Sequence, residues 1–249
     1  MRILLTNDDG IDAEGLQVAY DIATQLTKAE NVSIVAPASE QSGVGHAITY
    51  TETLRFEPRE TGVAVFGSPA DCVLVGFHEI LDSSPDLVLS GVNRGNNAGE
   101  NALYSGTLGA AMEAALQGVP AIALSQFYGP ALQGGDMWSA TRAYGLQTVQ
   151  KILDAGLWSD GDARLFYNVN FPPVFSQDVS GIGFYPQGFR PTRFGTTSVG
   201  TGEIKISGGA QAAPSAEGTD VHANLNGMVT ITPCSLDLTA HSILDQLRG

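Results

Sequence analysis

The strongest constraint in this chain is a repeated alternation. Short apolar runs end in polar or glycine-bearing loops, and amphipathic stretches follow them. Ile3-Leu4-Leu5-Thr6 reads as a buried strand closed by Asn7-Asp8-Asp9-Gly10. Val18, Ile22 and Leu26 recur at helical spacing within 14–29. Val32-Ser33-Ile34-Val35-Ala36 and Asp86-Leu87-Val88-Leu89-Ser90 read as further strands, and so does Ala121-Ile122-Ala123-Leu124. Ser68-Pro69-Ala70-Asp71 has the signature of a capped helix start, with serine at the cap, proline next and a carboxylate at the capping-box position. Leu108, Ala111, Met112, Ala115 and Leu116 make an apolar stripe on a helix ended by Gly118, and 137–155 reads as another helix. Strands alternating with helices predict an α/β fold: a mostly parallel sheet with helices on both faces.

The last third changes character. Leu165 to Phe171 and Met228 to Thr232 read as strands, and 242–247 as a short closing helix. The Gly-, Thr-, Ser- and Ala-rich span 181–227 reads as hairpins and loops leaving the core. The expected division is a catalytic core over 1–180 and a hairpin or arm region over 181–249. That arm is expected to pack on the core or to be exchanged between subunits.

With 249 residues, the chain buries enough surface to fold without a disulfide or structural metal. Cys72 and Cys234 lie in apolar runs and read as reduced thiols. A formal net charge of −14 repels a phosphate backbone, so a nucleic-acid polymer is not an expected partner. A small phosphate ester remains compatible where a cation or helix start supplies local positive charge. Asn7, Asp8 and Asp9 interrupt any leader-like apolar segment, and no run reaches membrane-spanning length. A cytoplasmic location with no membrane partner is the expectation.

In open parallel sheets, ligands bind beyond the carboxyl ends of the strands. Those ends deliver Asp8 and Asp9, then Ser39 and Ser42, then Asn93, Asn96 and Asn97. All are oxygen donors, a set suited to Mg²⁺ or Mn²⁺, whereas zinc favours His and Cys. Each group has an ordinary reading too. Asp-Asp-Gly suits a turn, loop serines are commonly solvated, and asparagine tolerates left-handed backbone. Tyr104-Ser105-Gly106-Thr107 precedes the apolar helix, so its N–H groups and hydroxyls either cap that helix or bind an anion. His46 and Arg94 are candidates for contacting the anion. Neither a Walker lysine pattern nor Gly-x-Gly-x-x-Gly follows the first strand.

These motifs, in this order, resemble the SurE survival-protein nucleotidases. The resemblance rests on Met1 through Gly10, on Ala36-Pro37 with Ser42-Gly43, Gly45-His46 and Thr49, and on Gly67 through Val73. It continues through Ser90-Gly91-Val92-Asn93, Tyr104 through Thr107, Asn168-Val169-Asn170, Gly218-Thr219-Asp220 and Ile231-Thr232-Pro233, across nearly the whole chain. It implies a Rossmann-like three-layer αβα core with a C-terminal β-hairpin arm used in oligomerisation. It implies hydrolysis of nucleoside 5′- and 3′-monophosphates with one divalent ion per subunit, and a homodimer or homotetramer. By motif position the metal ligands would be Asp8, Asp9, Ser42 and Asn93, with Asp8 and Asp9 catalytic. Asn97, Ser105, Gly106 and Thr107 would hold phosphate, and Asn7, Gly43, His46 and Arg94 stand as further substrate contacts. The competing reading of the same residues is an α/β sensor that binds a nucleotide without cleaving it.

Overall fold

The computed structural model describes residues 1–190, 194–208, 213 and 215–249. Strand β1 (Ile3–Thr6) lies inside a ten-stranded sheet. From it, α1 (Glu14–Leu26) leads to β2 (Val32–Pro37) on one side. A hairpin of β3 (Phe56–Arg59) and β4 (Gly62–Val65) extends that side, with β4 parallel to β2. The chain then returns through α2 (Pro69–Val75) to β5 (Leu87–Arg94) on the other side of β1. Helix α3 (Gly106–Leu116), β6 (Ala121–Gln126), α4 (Ser139–Ala155), the short β7 (Ser159–Asp160) and β8 (Ala163–Phe171) continue outward. The remainder comprises β9 (Gly181–Phe184), β10 (Gly195–Gly200), β11 (Glu203–Ser207), α5 (Asp220–Leu225), β12 (Met228–Ser235) and α6 (His241–Arg248).

The sheet order is β3-β4-β2-β1-β5-β6-β8-β12-β9, with β7 hydrogen-bonded to β8 outside that path. The six strands from β4 to β8 are parallel, with Ile3 registered against both Val32 and Leu87. The predicted α/β class is what forms. The alternation inside β1 explains the layers. Ile3 and Leu5 pack with Ile22 of α1 and with Val149 and Ile152 of α4. Leu4 points the other way, to Val73 of α2 and to Leu108 and Ala111 of α3. Both faces of the strand are dry, which is why it is apolar throughout. Because the chain leaves β1 toward β2 and later returns to β5, the connections diverge between β1 and β5. A crevice opens at their carboxyl ends.

The structure adds elements that sequence patterning did not indicate. The β3–β4 hairpin is short and polar at its tip, and α5 has only six residues, too few for a helical period. Leu116, expected on the apolar stripe, is exposed. In the span read as hairpins and loops, β10 and β11 do form an antiparallel hairpin, exposed along its whole length. Strand β9 instead joins the main sheet, beside β12, which forms where a strand was expected from Met228. Positions 191–193, 209–212 and 214 of that span lie outside the described residues. Both cysteines are free thiols. Among the described residues, no helix is long and apolar enough to cross a membrane.

The capping box ahead of α2 forms as predicted. Ser68 Oγ accepts the Asp71 N–H at 3.1 Å, and Asp71 Oδ2 accepts the Ser68 N–H at 2.8 Å. Asp71 also takes the Thr49 N–H at 2.9 Å and the Thr49 hydroxyl at 2.8 Å, tying the loop after β2 to the start of α2. Ser68 Oγ also donates to the Ala47 carbonyl at 2.6 Å, so Ser68→Ala should cost about 2 kcal/mol in thermal or denaturant unfolding, a cap together with one further hydrogen bond. Asp71→Ala should cost about 3 kcal/mol, because charged hydrogen bonds to a second segment are lost as well. Equal losses in the two variants would show that the Thr49 bonds to Asp71 add nothing.

Candidate functional site

The turn after β1 is fixed by Asn7. Its Nδ2 donates to the Gly10 carbonyl at 2.7 Å, and its Oδ1 accepts the Gly10 N–H at 3.2 Å. That clamp holds Asp8 and Asp9 at the strand end. The loop after β2 is stitched to the same turn, since Gln41 N–H donates to the Asp8 carbonyl at 2.7 Å. This brings Ser42 and Gly43 alongside Asp8. On the other side, the register between β5 and β6 slips between Ser90 and Asn93. Such irregularities re-aim side chains at strand ends, and here the slip precedes Asn93 and Arg94.

Together these loops enclose a cleft of about 510 Å³. Of the positions read from sequence, Asp8, Ser42, Gly43, Asn93, Arg94, Asn97 and Ser105 line it. Asp8 is buried at its floor, 4% exposed. Its Oδ1 accepts the Thr107 hydroxyl at 2.7 Å. Gly106 lets the start of α3 press against it, because a Cβ there would lie 3.0 Å from Asp8 Cβ and 3.1 Å from Pro69 Cγ. Burial pushes the Asp8 carboxyl up to about 6; the Thr107 bond pulls it down and the neighbouring Asp9 charge adds to the rise.

Asp9 is half-buried and, unlike its neighbour Asp8, does not line the cleft. Its Oδ2 accepts the Arg94 N–H at 2.8 Å, and the residue lines an adjoining recess of about 220 Å³ that also contains Glu40 and Arg94. Burial, with Glu40 nearby, raises its carboxyl too. Ser42 is exposed at the cleft mouth, where its hydroxyl donates to Glu40 Oε1 at 2.9 Å. Asn93 is buried, with Nδ2 donating to the Gly95 carbonyl at 3.3 Å.

Four positions have their side chains engaged elsewhere. Asn7 spends both ends of its amide on the Gly10 turn. His46 faces an apolar groove on the far side of Ser105, with Nε2 2.8 Å from Glu113 Oε2. The His46 bond holds the Glu113 carboxyl below its usual range. Asn97 directs its Nδ2 at Ser125 Oγ, 2.9 Å, and at Thr107 Oγ1, 3.3 Å, so it braces the hydroxyl that in turn braces Asp8. Ser105 caps α3, accepting the Leu108 N–H at 3.2 Å.

Behind Asn97 lies a polar network whose role sequence reasoning missed. Asn170 Oδ1 accepts the Asn97 N–H at 2.8 Å, Asn168 Nδ2 donates to the Asn97 carbonyl at 2.9 Å, and Asn170 Nδ2 donates to Asn168 Oδ1 at 3.1 Å. A signal was present. Two asparagines at alternate positions of a buried strand need partners there, because unpaired amides in a core are costly.

The donor set suits a hard divalent cation. Among the described residues, no group of three or more His, Cys, Asp or Glu is placed to hold a metal, so a cage of those residue types is excluded for them. What the strand ends offer is two carboxylates with neutral hydroxyl and amide oxygens, the chemistry of Mg²⁺ or Mn²⁺. Two raised carboxyls side by side also favour a nearby cation, which would stabilise both as anions.

The family model "Survival protein SurE" matches residues 3–194. A protein of Cereibacter sphaeroides named 5′-nucleotidase SurE is 53% identical, over 100% of this chain and 99% of its own length. One of the same name from Roseobacter denitrificans is 52% identical with the same coverage. The crystal structure of a SurE protein from Aquifex aeolicus superposes with a TM-score of 0.81 at 34% identity, covering 100% of this chain and 98% of that one.

Asp8 makes stability depend on pH when divalent ions are removed by chelator. Its carboxyl sits at about 6 in the folded protein, against 3.8 for an unperturbed aspartate. The folded state therefore holds the proton longer, and stability falls as pH rises from 3.8 to about 6. Above that window the cost is roughly 3 kcal/mol. Chelated Asp8→Asn should melt higher than the chelated parent at about pH 8, with the gap closing toward pH 4. A gap of the same size at both pH values would contradict this account.

Proposed function

This chain belongs to the SurE family of survival proteins, and on that premise we propose that it hydrolyses nucleoside 5′- and 3′-monophosphates to nucleoside and phosphate. The observation that carries the reading is the convergence of Asp8, Ser42 and Asn93 on one cleft beside the start of α3, with Asp9 joined to the same rim through Arg94. Asp8, Asp9, Ser42 and Asn93 would hold one Mg²⁺ or Mn²⁺ ion. Bound there, the ion would offset phosphate charge and make water a stronger nucleophile at neutral pH.

The chain's own residues supply the rest. Asp8 and Asp9 provide the negative charge that fixes the ion, and Thr107 keeps Asp8 in one orientation. The first turn of α3, from Ser105 to Thr107, presents backbone N–H groups and the positive end of the helix dipole to phosphoryl oxygens. Arg94 adds a side-chain cation at the mouth. Water attacks phosphorus as the ester P–O bond breaks; the water oxygen and one of its protons stay with the phosphate, and its other proton ends on the leaving sugar oxygen. These local positive groups let an anionic substrate approach a chain of charge −14.

The proposed assembly is a homodimer or homotetramer, with 181–249 acting as the arm beyond the 1–180 core. The β10–β11 hairpin supports that reading, because it exposes Val199, Ile204 and Ile206 with no covering layer from the described chain.

Phosphate release from a panel of 5′- and 3′-nucleoside monophosphates tests the proposal, with Mg²⁺ or Mn²⁺, with chelator, and with Asp9→Asn. The expected result is ion-dependent release from both classes, abolished by chelator and nearly so in a folded Asp9→Asn. Release that survives Asp9→Asn would remove the assigned site. Tight nucleotide binding without release under any ion would instead make the chain a sensor.

A further inference from the structure

One wall of the cleft is the loop joining β5 to α3, residues 95–105, which contributes Asn96, Asn97, Asn101 and Tyr104. Its regular structure is a single 3₁₀ stretch, Gly99–Tyr104. A wall of this kind takes its shape from what stands behind it, and here that is the C-terminal third of the chain. Asp220, the first residue of α5, is 0% exposed. Its carboxylate accepts the N–H groups of Gly99 at 2.9 Å, Gly188 at 2.7 Å and Val221 at 2.7 Å.

Arg190 is buried as well. Its Nε donates to Glu100 Oε1 at 3.0 Å, its backbone N–H donates to Glu100 Oε2 at 3.1 Å, and a terminal guanidinium nitrogen reaches the Ala98 carbonyl at 3.4 Å. Gln187 Nε2 donates to the Gly99 carbonyl at 3.0 Å. The packing is equally close. A Cβ added at Gly99, whose φ is +63°, would lie 2.8 Å from Val221 Cγ2 and 3.0 Å from the Gly188 carbonyl oxygen.

Asp220, Arg190 and Gln187 do not themselves line the cleft. Buried charges are costly, and they persist where their hydrogen-bonding capacity is met by a specific geometry. Here that geometry is the backbone of the cleft wall. We propose that Asp220, Arg190 and Gln187 are positioning residues, through which the segment 186–190 and the start of α5 lock the 95–105 wall into its nucleotide-holding shape. The effect on substrate rests on the nucleotidase reading; the lock itself does not.

The test uses the full chain with Mn²⁺ and three variants: Gln187→Ala, Arg190→Lys and Asp220→Asn. Gln187→Ala removes one neutral hydrogen bond and keeps the buried charges, so it preserves the test where Asp220→Asn fails to fold. Three quantities are read: KM and kcat for 5′-AMP, the Mn²⁺ concentration giving half-maximal activity, and amide hydrogen exchange across 95–105. The expected result is a KM raised about five- to tenfold, a Mn²⁺ midpoint and kcat close to the parent's, and faster exchange confined to 95–105 and its partners. A merely structural role would lower the melting temperature while leaving KM and 95–105 exchange at parental values, which overturns the proposal. Parallel losses in KM, Mn²⁺ midpoint and exchange across the whole fold overturn it too. Should the parent release no phosphate, the nucleotidase reading fails by itself. Exchange then decides the lock: local acceleration in Gln187→Ala sustains it, and unchanged exchange rejects it.

Discussion

The structure depends on the contact between the Asp8 carboxylate and the first turn of α3. Asp8 leaves β1 at the point where the sheet connections diverge, and Thr107 meets it from a helix that lies after β5. Ninety-nine positions separate the two residues. Joining them fixes where the floor of the cleft lies, how close α3 approaches, and which way a carboxylate can face. Gly106 permits the approach, and Asn97, itself anchored on Ser125, braces the hydroxyl from behind.

Physically, the arrangement gives up stability at the floor of the cleft. Asp8 sits where burial disfavours its charge, and Asp9 adds like charge beside it. Two other buried aspartates, Asp71 and Asp220, put the same side chain to another use. Asp71 has hydrogen bonds from Ser68 and Thr49, and Asp220 has three backbone N–H donors. Those two hold segments together. Asp8 is held by one hydroxyl and the start of a helix while facing open cleft. A buried carboxylate raised by desolvation in a concave site is the pattern expected where a cation and an anionic substrate complete the balance.

Much of this is legible in the sequence because it is local. The apolar run Ile3 to Thr6 predicts a strand buried on both faces, and the capping box at Ser68 and Asp71 predicts the start of α2. The loops after three strands name the oxygen donors. What sequence does not reveal depends on distant partners. His46 is a candidate for the anion by its motif, yet its ring is paired with Glu113, a residue 67 positions away. Asn97 reads as a phosphate ligand, and its amide is spent on Ser125 and Thr107. The six-residue α5 leaves no periodic trace, although Asp220 at its start reaches across 121 positions to Gly99. A spacing rule sees neighbours three or four residues apart, and these contacts are set by the topology of the sheet.

The most direct test of the central claim is anomalous X-ray diffraction from crystals grown or soaked with Mn²⁺. One strong anomalous peak per subunit is expected at the carboxyl ends of β1, β2 and β5, within bonding distance of oxygens from Asp8, Asp9, Ser42 and Asn93. An active protein whose only manganese peak lies away from Asp8 and Asn93 would contradict that claim.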